Sequence, residues 1–585
     1  MAVFYVRDAC ASVAQPFVEA AMPVAMHVRT RRLRMLVLGV FALAACQRTP
    51  TFSPTAAAYD VAANRIEADV RLLASDAMQG RETGTPGFER AADAVVARFR
   101  ALGLQPAGDD GTFSQRVPLL KGTRIADGAR LDVVRSDRTI PLRFRDHFLP
   151  EPGFDNADSA VRAKAVFVGE GIHAPELQHD DFAGLDLHGR IAVLFGGAPA
   201  RFDNDRLALY ASRDEKLRAL VERGAIGAVF VDTADDETRA PWALQTSNWE
   251  RPVLRLRDAD GHGIDTYPQL RVVARVSTAA ADLIFDGSGH TAADLAHAAL
   301  LDQLHGFMLP VTLSLAARTH VEPLDSRNVV ARLPGRDATL GRDAIVYSAH
   351  LDHLGVRAPV AGDDTLQDNI YNGALDNALG VAIVLETARE SRDAANKSRR
   401  SLLFIALTGE EEGLLGAQWF SAHPPQHVLA DINLDMPMLL APTRDVVAIG
   451  DAHSSLHEAL QQAARALGVA VSADPFPEES VFVRSDQYAF VRAGIPALYL
   501  DGGVIPAASS AGKAADPKTV PKLAQRDFLR RCYHQPCDDV RLPIQYPDAA
   551  RMAHLNARLG ALLGNAPQPP RWNAGDFFGE RFARP

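Results

Sequence analysis

The chain has 585 residues and a formal net charge of -10 at pH 7, with 47% hydrophobic and 23% charged residues. This length exceeds one ordinary domain and predicts about three or four, while the composition is that of a globular protein with real cores. The acidic balance argues against nucleic acid as a partner, because nucleic-acid-binding surfaces need clustered Lys and Arg to neutralise phosphates.

The first 46 residues have the pattern of an export signal. The basic stretch RTRRLR precedes the apolar run MLVLGVFALAA, which is too short to span a bilayer. The motif LAAC at the end of this run resembles the lipobox of bacterial lipoproteins, which implies that Cys46 is lipidated. Plain signal cleavage near Ala45 is the alternative, and Met26 is an alternative start. Residues 47–57 are then expected to form a short tether.

Two amphipathic helices are predicted within residues 58–118. The segments YDVAANRIEADVRLLASDAMQG and GFERAADAVVARFRALGL both carry apolar residues at helical spacing. The second helix is expected to end at Gly103. The segment RETGTPG between them predicts a turn-rich loop.

From residue 119 to residue 288 the pattern changes to short β-strands. One helical stretch, RDEKLRALVERG, lies among apolar runs of strand length, which are AKAVFVGEGI, GRIAVLFGG, GAIGAVFVD and LRVVARVS. Regularly spaced short strands of this kind predict a separate, inserted β-rich domain.

Residues 289–566 predict an α/β domain. Strand-length runs such as AIVYSAH, SLLFIALTG, ADINLDM and IPALYLDG alternate with helical runs such as NALGVAIVLETARES and SLHEALQQAARALG. This alternation predicts a mostly parallel mixed sheet flanked by helices on both faces. A Pro-rich tail, residues 567–585, closes the chain, and its Trp572, Phe577 and Phe578 are expected to pack onto the body.

Polar residues stand at the predicted strand ends of the α/β domain, where open α/β sheets bind their ligands. The candidate site residues at or near these strand ends are His350, Asp352, Asp376, Glu410, Glu411, Asp435 and His534. Carboxylates and imidazoles suit zinc, and the lack of ligand-like thiolates argues against a Cys-rich structural zinc site. One histidine and one carboxylate for each of two ions, with one carboxylate shared, would suit a two-metal site.

Six segments in chain order then carry a family resemblance, and they are AHLDH, NGALDNALG, LTGEEEGLLGA, NLDM, SDQYAFVRAGIP and CYHQPCDD. Together they resemble the co-catalytic di-zinc peptidases of family 28, which include bacterial leucyl aminopeptidases and glutamate carboxypeptidase. The resemblance implies the zinc exopeptidase fold, with residues 58–118 and 289–566 forming the catalytic domain. The β-rich insert resembles a protease-associated (PA) domain, which in this family shapes substrate access.

The resemblance also implies a role for each candidate residue. One zinc is expected to bind His350 and Asp435, and the other Glu411 and His534. Asp376 is expected to bridge the two ions.

The sequence also predicts roles for three residues near these ligands. Glu410 stands at the family's general-base position, and Asp352 matches the residue that orients the first histidine. Glu412 has no family role and is expected to begin a helix, where its charge would suit the helix dipole.

For the other polar residues in these segments, the sequence predicts mainly structural roles. His353 is expected to be a loop histidine, and Ser485 and Asp486 to cap a helix. Asp538 and Asp539 either orient the loop of His534 or only form a turn.

Two cysteines, Cys532 and Cys537, remain once Cys10 and Cys46 are set aside. In an oxidising compartment an even pair this close predicts a disulfide. Such a bond would close a small loop around His534.

We therefore expect a zinc-dependent metalloprotease with two Zn²⁺ per chain, favouring an aminopeptidase that acts on peptides with a free N-terminus. A water between the ions would be the nucleophile and Glu410 the base. The enzyme is expected on the periplasmic side of a bacterial membrane, with the outer membrane as one option, held by a lipid at Cys46.

Three alternatives remain open. A carboxypeptidase of the same fold would bind a terminal carboxylate through Arg357 or Arg484. A glutaminyl cyclase-like enzyme would use a single zinc. A non-catalytic receptor-like protein would be expected to lose ligands, whereas this chain keeps them.

Overall fold

A computed structural model of the protein describes residues 56–357, 368–393, 396–507 and 520–583. The predicted export signal with Cys46 and the alternative start at Met26 lie outside the described residues, as does the tether up to residue 55. Within the described part of the chain, no helix is both long and apolar enough to cross a membrane.

The two predicted N-terminal helices are present as α1 (Ala56–Leu73) and α2 (Pro86–Ala101). α2 begins with Pro86, and the N–H that proline lacks would have no partner at a helix start. The Thr85 hydroxyl caps the helix by accepting a hydrogen bond from the backbone amide of Phe88 at 3.4 Å. Just past its end, Gly103 takes a left-handed φ of 65°, which confirms the predicted termination.

A β-rich region follows, and its strands include the predicted runs. The strands are β1 (Gln105–Pro106), β2 (Ser114–Val134), β3 (Thr139–Pro141), β4 (Phe148–Pro150), β5 (Asp158–Phe167), β6 (His173–Ala174), β7 (His179–Asp180), β8 (Ile191–Phe195), β9 (Gly227–Val231), β10 (Val253–Leu256) and β11 (Val273–Val276). The helices among and after them are α3 (Asn204–Ala211), α4 (Arg213–Glu222), α5 (Ala234–Arg239), α6 (Trp242–Asn248), α7 (Thr278–Phe285) and α8 (Ala292–Leu300).

The remainder of the chain forms the predicted α/β region. Its strands are β12 (Phe307–Leu333), β13 (Asp343–His350), β14 (Gly355–Val356), β15 (Ile370–Tyr371), β16 (Ser401–Leu407), β17 (His427–Asn433), β18 (Asp445–Ile449), β19 (Ala470–Ser472) and β20 (Ala497–Gly502). Its helices are α9 (Gly380–Ser391), α10 (Leu415–Ala422), α11 (Leu456–Leu467), α12 (Gln487–Arg492), α13 (Pro521–Arg531), α14 (Tyr546–Asn565) and α15 (Phe577–Phe582).

The centre of the α/β region is a parallel sheet, as predicted. β13 pairs in parallel with β16 on one side and with β17 on the other, and β17 pairs in parallel with β20. β18 adds an antiparallel partner to β20, and β12 adds one to β16, so the sheet is mixed. Every residue of β16 is buried, which a parallel strand covered on both faces requires.

Helices cover both faces of this sheet. Alternate residues of β13 belong to two cores, Ile345 and Tyr347 on the face of α9 and α14, and Val346 on the face of α10 and α12. In the tail, Phe578 is fully buried in the second core, which confirms that the tail packs onto the body.

Two long strands join the β-rich region to the α/β region. β12 pairs with β16 through its last residues and with β2 and β5 along the rest of its length. A single mixed sheet therefore runs through both regions, in the order β19-β18-β20-β17-β13-β16-β12-β5-β8-β9-β11-β4. The domain limit predicted at residue 118 falls inside β2, where backbone pairing continues without interruption.

Candidate metal centre

Three adjacent parallel strands deliver most of the predicted site residues to one edge. β13 ends at His350, Glu411 follows the end of β16, and Asp435 follows the end of β17. Because these strands are neighbours in the order β17-β13-β16, the side chains that follow them come together. Asp376 reaches the same edge from the short π-helical turn Ala374–Leu379, and His534 from the loop after α13.

A first cluster forms around His350. Its Nε2 lies 2.9 Å from Asp435 Oδ1 and 3.2 Å from Asp376 Oδ1. These atoms lie within 4.8 Å of one another and could hold one metal ion.

A second cluster lies beside the first and includes Glu411 and His534. His534 Nε2 is 3.1 Å from Asp376 Oδ2 and 3.4 Å from Glu411 Oε2. His353 joins them, with its Nδ1 at 2.7 Å from Glu411 Oε1 and 3.8 Å from Asp376 Oδ2. His353, Asp376 and Glu411 meet the same distance condition for holding an ion.

Asp376 belongs to both clusters, and its two carboxylate oxygens face different histidines. Oδ1 lies near His350, whereas Oδ2 lies near His534. A carboxylate placed in this way can bridge two ions, as the sequence predicted. The donor set of imidazoles and carboxylates suits zinc, so the residues present fit a two-zinc centre.

The protonation states of these residues follow from their mutual contacts. Burial would lower the pKa of His534, but Glu411 and Asp376 outweigh it and raise that pKa to about 9. Burial would likewise raise the pKa of Asp376, yet the surrounding histidines hold it well below its usual value. The carboxylates of the site are therefore stabilised in their charged form by neighbouring positive charge. Protonated imidazoles supply that charge here, and a divalent ion can supply it once the imidazoles lose their protons.

Glu410 lies next to the clusters without belonging to either. Its side chain lines a cavity together with Asp376 and Asp435. Burial raises the pKa of Glu410 well above its usual value, against the opposing effect of His350. A carboxyl group with a raised pKa at the edge of a metal site suits proton transfer.

Asp352 holds the glutamate loop rather than the histidine it was expected to orient. Its carboxylate accepts the backbone amides of Glu410 at 3.2 Å and Glu411 at 3.3 Å. His350 Nδ1 lies 3.1 Å from the backbone carbonyl of Asp352 but 3.9 Å from its carboxylate. The second contact is too long for a hydrogen bond, so the carbonyl orients the imidazole.

Asp538 supports the residue expected to bridge the ions, a role that neither of its two predicted roles named. Its carboxylate accepts the backbone amides of Leu375 at 2.8 Å and Asp376 at 3.0 Å, and the side chain is fully buried. Asp539, the next residue, instead pairs with Arg541. Asp538 therefore fixes the turn that presents Asp376.

His353 is the site residue that the sequence analysis missed. It was expected to be an ordinary loop histidine, but it is 1% exposed and contacts Glu411. Its ring passes so close to Gly373 that a Cβ there would lie 2.6 Å from ring atoms. The signal available in the sequence was its position in AHLDH, three residues after His350.

The loop of His534 is closed by the predicted disulfide. Cys532 and Cys537 are bonded, with their Cα atoms 5.2 Å apart. The ring of Tyr533 stacks on His534 at a centroid distance of 3.7 Å. His534 itself has a left-handed φ of 57°, a conformation that a closed loop helps to maintain.

Glu412 does not begin a helix, and that expectation is wrong. Glu412 lies in a turn, and α10 begins three residues later at Leu415. Its Oε2 accepts the backbone amide of Leu254 in β10 at 3.3 Å. The carboxylate therefore joins the glutamate loop to the β-rich region instead of interacting with a helix dipole.

The remaining predicted residues have mixed outcomes. Asp486 directly precedes α12 at the N-cap position, but its side chain makes no capping hydrogen bond, so the capping expectation is wrong for it. The Ser485 hydroxyl accepts a hydrogen bond from Asn433 at 2.9 Å. Arg357 packs over the ring of Tyr371, whereas Arg484 lines the cavity beside Glu410.

Comparison with known proteins gives a family match for the α/β region. Residues 328–560 match the family described as peptidase family M28. Leupeptin-inactivating enzyme 1 of Streptomyces exfoliatus is 26% identical over 215 residues, which are 36% of this chain and 43% of that protein. A vacuolar membrane protease of Yarrowia lipolytica is 30% identical over 112 residues, 19% of this chain and 10% of that protein. The chain thus spans less than half the length of these curated relatives.

Solved structures give a broader but more distant likeness. An aminopeptidase from Aneurinibacillus sp. strain AM-1 matches 87% of this chain and 95% of its own, with 19% identity and a TM-score of 0.47. A peptidase M28 precursor from Shewanella amazonensis SB2B matches 88% of this chain and 98% of its own, with 18% identity and a TM-score of 0.41.

Proposed function

We propose that this chain, whose residues 328–560 match peptidase family M28, is a zinc-dependent aminopeptidase that removes N-terminal residues from peptides. The observation that carries the proposal is the position of Asp376, whose two oxygens face two separate clusters of histidine and carboxylate. Such an arrangement serves hydrolysis when a cavity for substrate adjoins it, and Asp376 and Asp435 line one here.

The residues that would hold two zinc ions divide as follows. His350 and Asp435 would hold one ion, Glu411 and His534 the other, and Asp376 would bridge them. When bound, zinc supplies Lewis acidity toward a carbonyl oxygen and toward water.

Proton transfer falls to Glu410. Its carboxylate would accept the proton of the attacking water and donate a proton to the nitrogen of the leaving amine. Its raised pKa helps the first step, because a carboxylate with a higher pKa is a stronger base. The leaving amine is a stronger base still, so it takes the proton in the second step. The amides of Glu410 and Glu411, bound by Asp352, keep both side chains aimed at the site.

The carboxylates would also select for a free N-terminus. Asp376, Glu410 and Asp435 line the same cavity, where a terminal ammonium would find opposite charge. An acetylated terminus lacks that charge and is larger. This selection limits cleavage to chain ends.

The test compares free and blocked substrates with metal content. Aminoacyl-arylamides should be cleaved, their N-acetylated forms should not, and the active protein should contain about two zinc ions per chain. Cleavage of blocked peptides with a free C-terminus would instead indicate a carboxypeptidase. This is the second candidate, because Arg484 lines the same cavity. About one zinc per chain with cyclisation of N-terminal glutamine would indicate a glutaminyl cyclase.

The β-rich insert would act as a protease-associated domain that narrows access to the site. Ser212, Asp214 and Glu215 at the beginning of α4 line a wide cleft together with Glu410 and Glu411. A substrate in this cleft would touch both regions. Long peptides should therefore be cleaved more slowly than dipeptides, and equal rates would contradict this role.

Export and lipid attachment complete the proposal. They rest on the signal pattern and the LAAC motif, and they place the enzyme on the periplasmic side of a bacterial membrane. Cys46→Ser should move the protein from the membrane fraction to the soluble fraction. Unchanged membrane association would contradict lipidation and leave the peptidase proposal intact.

A further inference from the structure

The cavity beside the metal centre is lined by apolar side chains as well as by site residues. It has a volume of about 110 Å³, and the site residues in its lining include Asp376, Glu410 and Asp435. Its walls include Met436, Met438, Ile449, Phe476 and Leu529. An elongated aliphatic chain would have apolar contacts along its length in this space.

Besides Glu410, the cavity carries three carboxyl groups outside the metal clusters. They are Asp474 and Glu479 from the loop after β19, and Asp501 from β20. Among the described residues, Arg484 is the one arginine or lysine that lines the cavity. Its Nη1 lies 3.5 Å from Glu479 Oε2 and donates to the carbonyl of Glu479 at 3.0 Å. Glu479 therefore already has a cationic neighbour.

Asp501 has a different environment. It is 3% exposed, and its Oδ1 accepts the backbone amides of Met438 at 2.7 Å and Gly502 at 2.5 Å. Burial raises its pKa to about 7, and the nearby charge of Asp474 acts in the same direction. Within the described part of the chain no Lys or Arg forms an ion pair with Asp501. A buried carboxylate next to another carboxylate is unfavourable, and either a proton on one of them or a nearby cation relieves the repulsion.

Asp474 has only partial compensation. Its Oδ1 accepts the amide of Phe476 at 2.8 Å, and Lys522 offsets some of its charge. Lys522 does not line the cavity, and its Nζ lies 5.1 Å from the centre of the Phe476 ring. The cavity therefore combines apolar walls with carboxyl groups that have no full partner.

We propose that this cavity binds the side chain of the N-terminal substrate residue and selects lysine or arginine, whose cationic end would lie against Asp474 and Asp501. The methylene groups of either side chain would pack on Met436, Met438 and Phe476. A purely aliphatic side chain would pack against the apolar walls equally well but would leave the carboxyl groups without a cationic partner. The inference rests on the proposed aminopeptidase function, because it requires the N-terminal residue beside the metal centre.

The test compares lysyl-arylamide with norleucyl-arylamide on the full-length, zinc-containing protein. The two side chains share a four-carbon stem and differ in the terminal ammonium. We expect kcat/KM for the lysyl substrate to exceed that for the norleucyl substrate by about 10-fold or more, the effect of a hydrogen bond to a charged group. In the double variant Asp474→Asn, Asp501→Asn that ratio should fall by about 10-fold, mainly through KM of the lysyl substrate.

A matched control comes from the same loop. Glu478 is exposed, lies outside the cavity lining and pairs with Arg526 at 3.4 Å. Glu478→Gln removes one nearby negative charge and should leave the lysyl-to-norleucyl ratio unchanged. A single variant, Asp474→Asn, keeps the buried Asp501 intact and tests the pocket if the double variant folds poorly.

The outcomes separate this inference from the proposed function. Cleavage of norleucyl-arylamide at a rate equal to or above that of lysyl-arylamide would overturn the pocket assignment alone. A lysyl preference that survives Asp474→Asn and the double variant would overturn it as well. If no unblocked arylamide is cleaved, the aminopeptidase proposal itself fails.

Discussion

The α/β region and the β-rich insert both place carboxylates at the ends of parallel strands, but they neutralise them differently. In the β-rich insert, Asp232 follows β9 and pairs with Arg275. In the α/β region, Asp435 and Glu411 follow β17 and β16, and their ion pairs within the described residues are with histidines.

This difference explains why one sheet edge can hold metal and the other is structural. Arginine keeps its proton at neutral pH, so its pair with a carboxylate is complete without an ion. Histidine can release its proton and offer a nitrogen lone pair, after which the carboxylates need another cation. Carboxylates at the ends of parallel strands can therefore hold a metal ion when their partners are histidines, but not when their partners are arginines.

The two regions meet at the glutamate loop. Glu410 lines the cavity at the site and Glu411 contacts His353 and His534, whereas Glu412 accepts a hydrogen bond from β10 of the insert. Three identical side chains in sequence therefore belong to different parts of the molecule. Substitutions on the two sides of this loop provide the sharpest tests of the comparison.

The largest effect is expected for Glu410→Gln. The amide keeps the shape of the side chain but cannot accept a proton, so turnover should fall by about 10²–10⁴-fold. Zinc content should stay unchanged, since Glu410 belongs to neither cluster. Metal analysis and initial rates decide this, with Glu411→Gln as the contrast that should lose zinc as well. Zinc loss in Glu410→Gln would mean that it is a ligand.

Asp538→Asn should weaken zinc binding by about 10- to 100-fold, the range for residues that orient metal ligands. The amide would offer one oxygen where two backbone amides now donate, and its NH₂ would face one of them. Competition with a chelator measures this. Asp539→Asn is the control, because its side chain contacts Arg541 and not Asp376. Equal zinc affinities of the two variants would contradict the supporting role of Asp538.

Removal of the disulfide by Cys532→Ser, Cys537→Ser should lower the free energy of unfolding by about 2 kcal/mol, as expected for so small a loop. The effect should be larger in zinc-free protein, because zinc bound to His534 also restrains the loop. Denaturant unfolding with and without metal would measure both values. Two free thiols in protein isolated without reductant would contradict the bond itself.

The smallest effect is expected for Glu412→Gln on the insert side of the loop. The amide oxygen can still accept from Leu254, so activity should change by less than about 2-fold. Burial raises the pKa of Glu412 from 4.5 to about 7. Between these values the folded state holds more protons than the unfolded state, so the wild type loses stability as pH rises.

The variant lacks that titration. At pH 5 it should match the wild type, and at pH 8 it should be at least as stable, as thermal unfolding at both pH values can show. If Glu412→Gln kept zinc and lost turnover, Glu412 rather than Glu410 would be the base.

Sequence patterns predicted the strands that are apolar along their whole length, such as β13, β16 and β9. They did not predict β2 and β12 as strands of full length. These strands carry charged residues on their exposed positions, and their stability comes from pairing with each other across most of the insert. Local composition cannot report a partner so distant in the chain.

The sequence by itself determined the donor types, their order and their placement at strand ends, because strand periodicity and metal-ligand chemistry are local properties. It also indicated the disulfide, since the two cysteines are close in the chain. Only the tertiary structure decided that His353 joins Glu411, that Asp538 supports Asp376 and that Glu412 turns toward the insert. Each of these contacts joins segments far apart in the chain, and burial and packing, rather than local preference, fix which side chains meet.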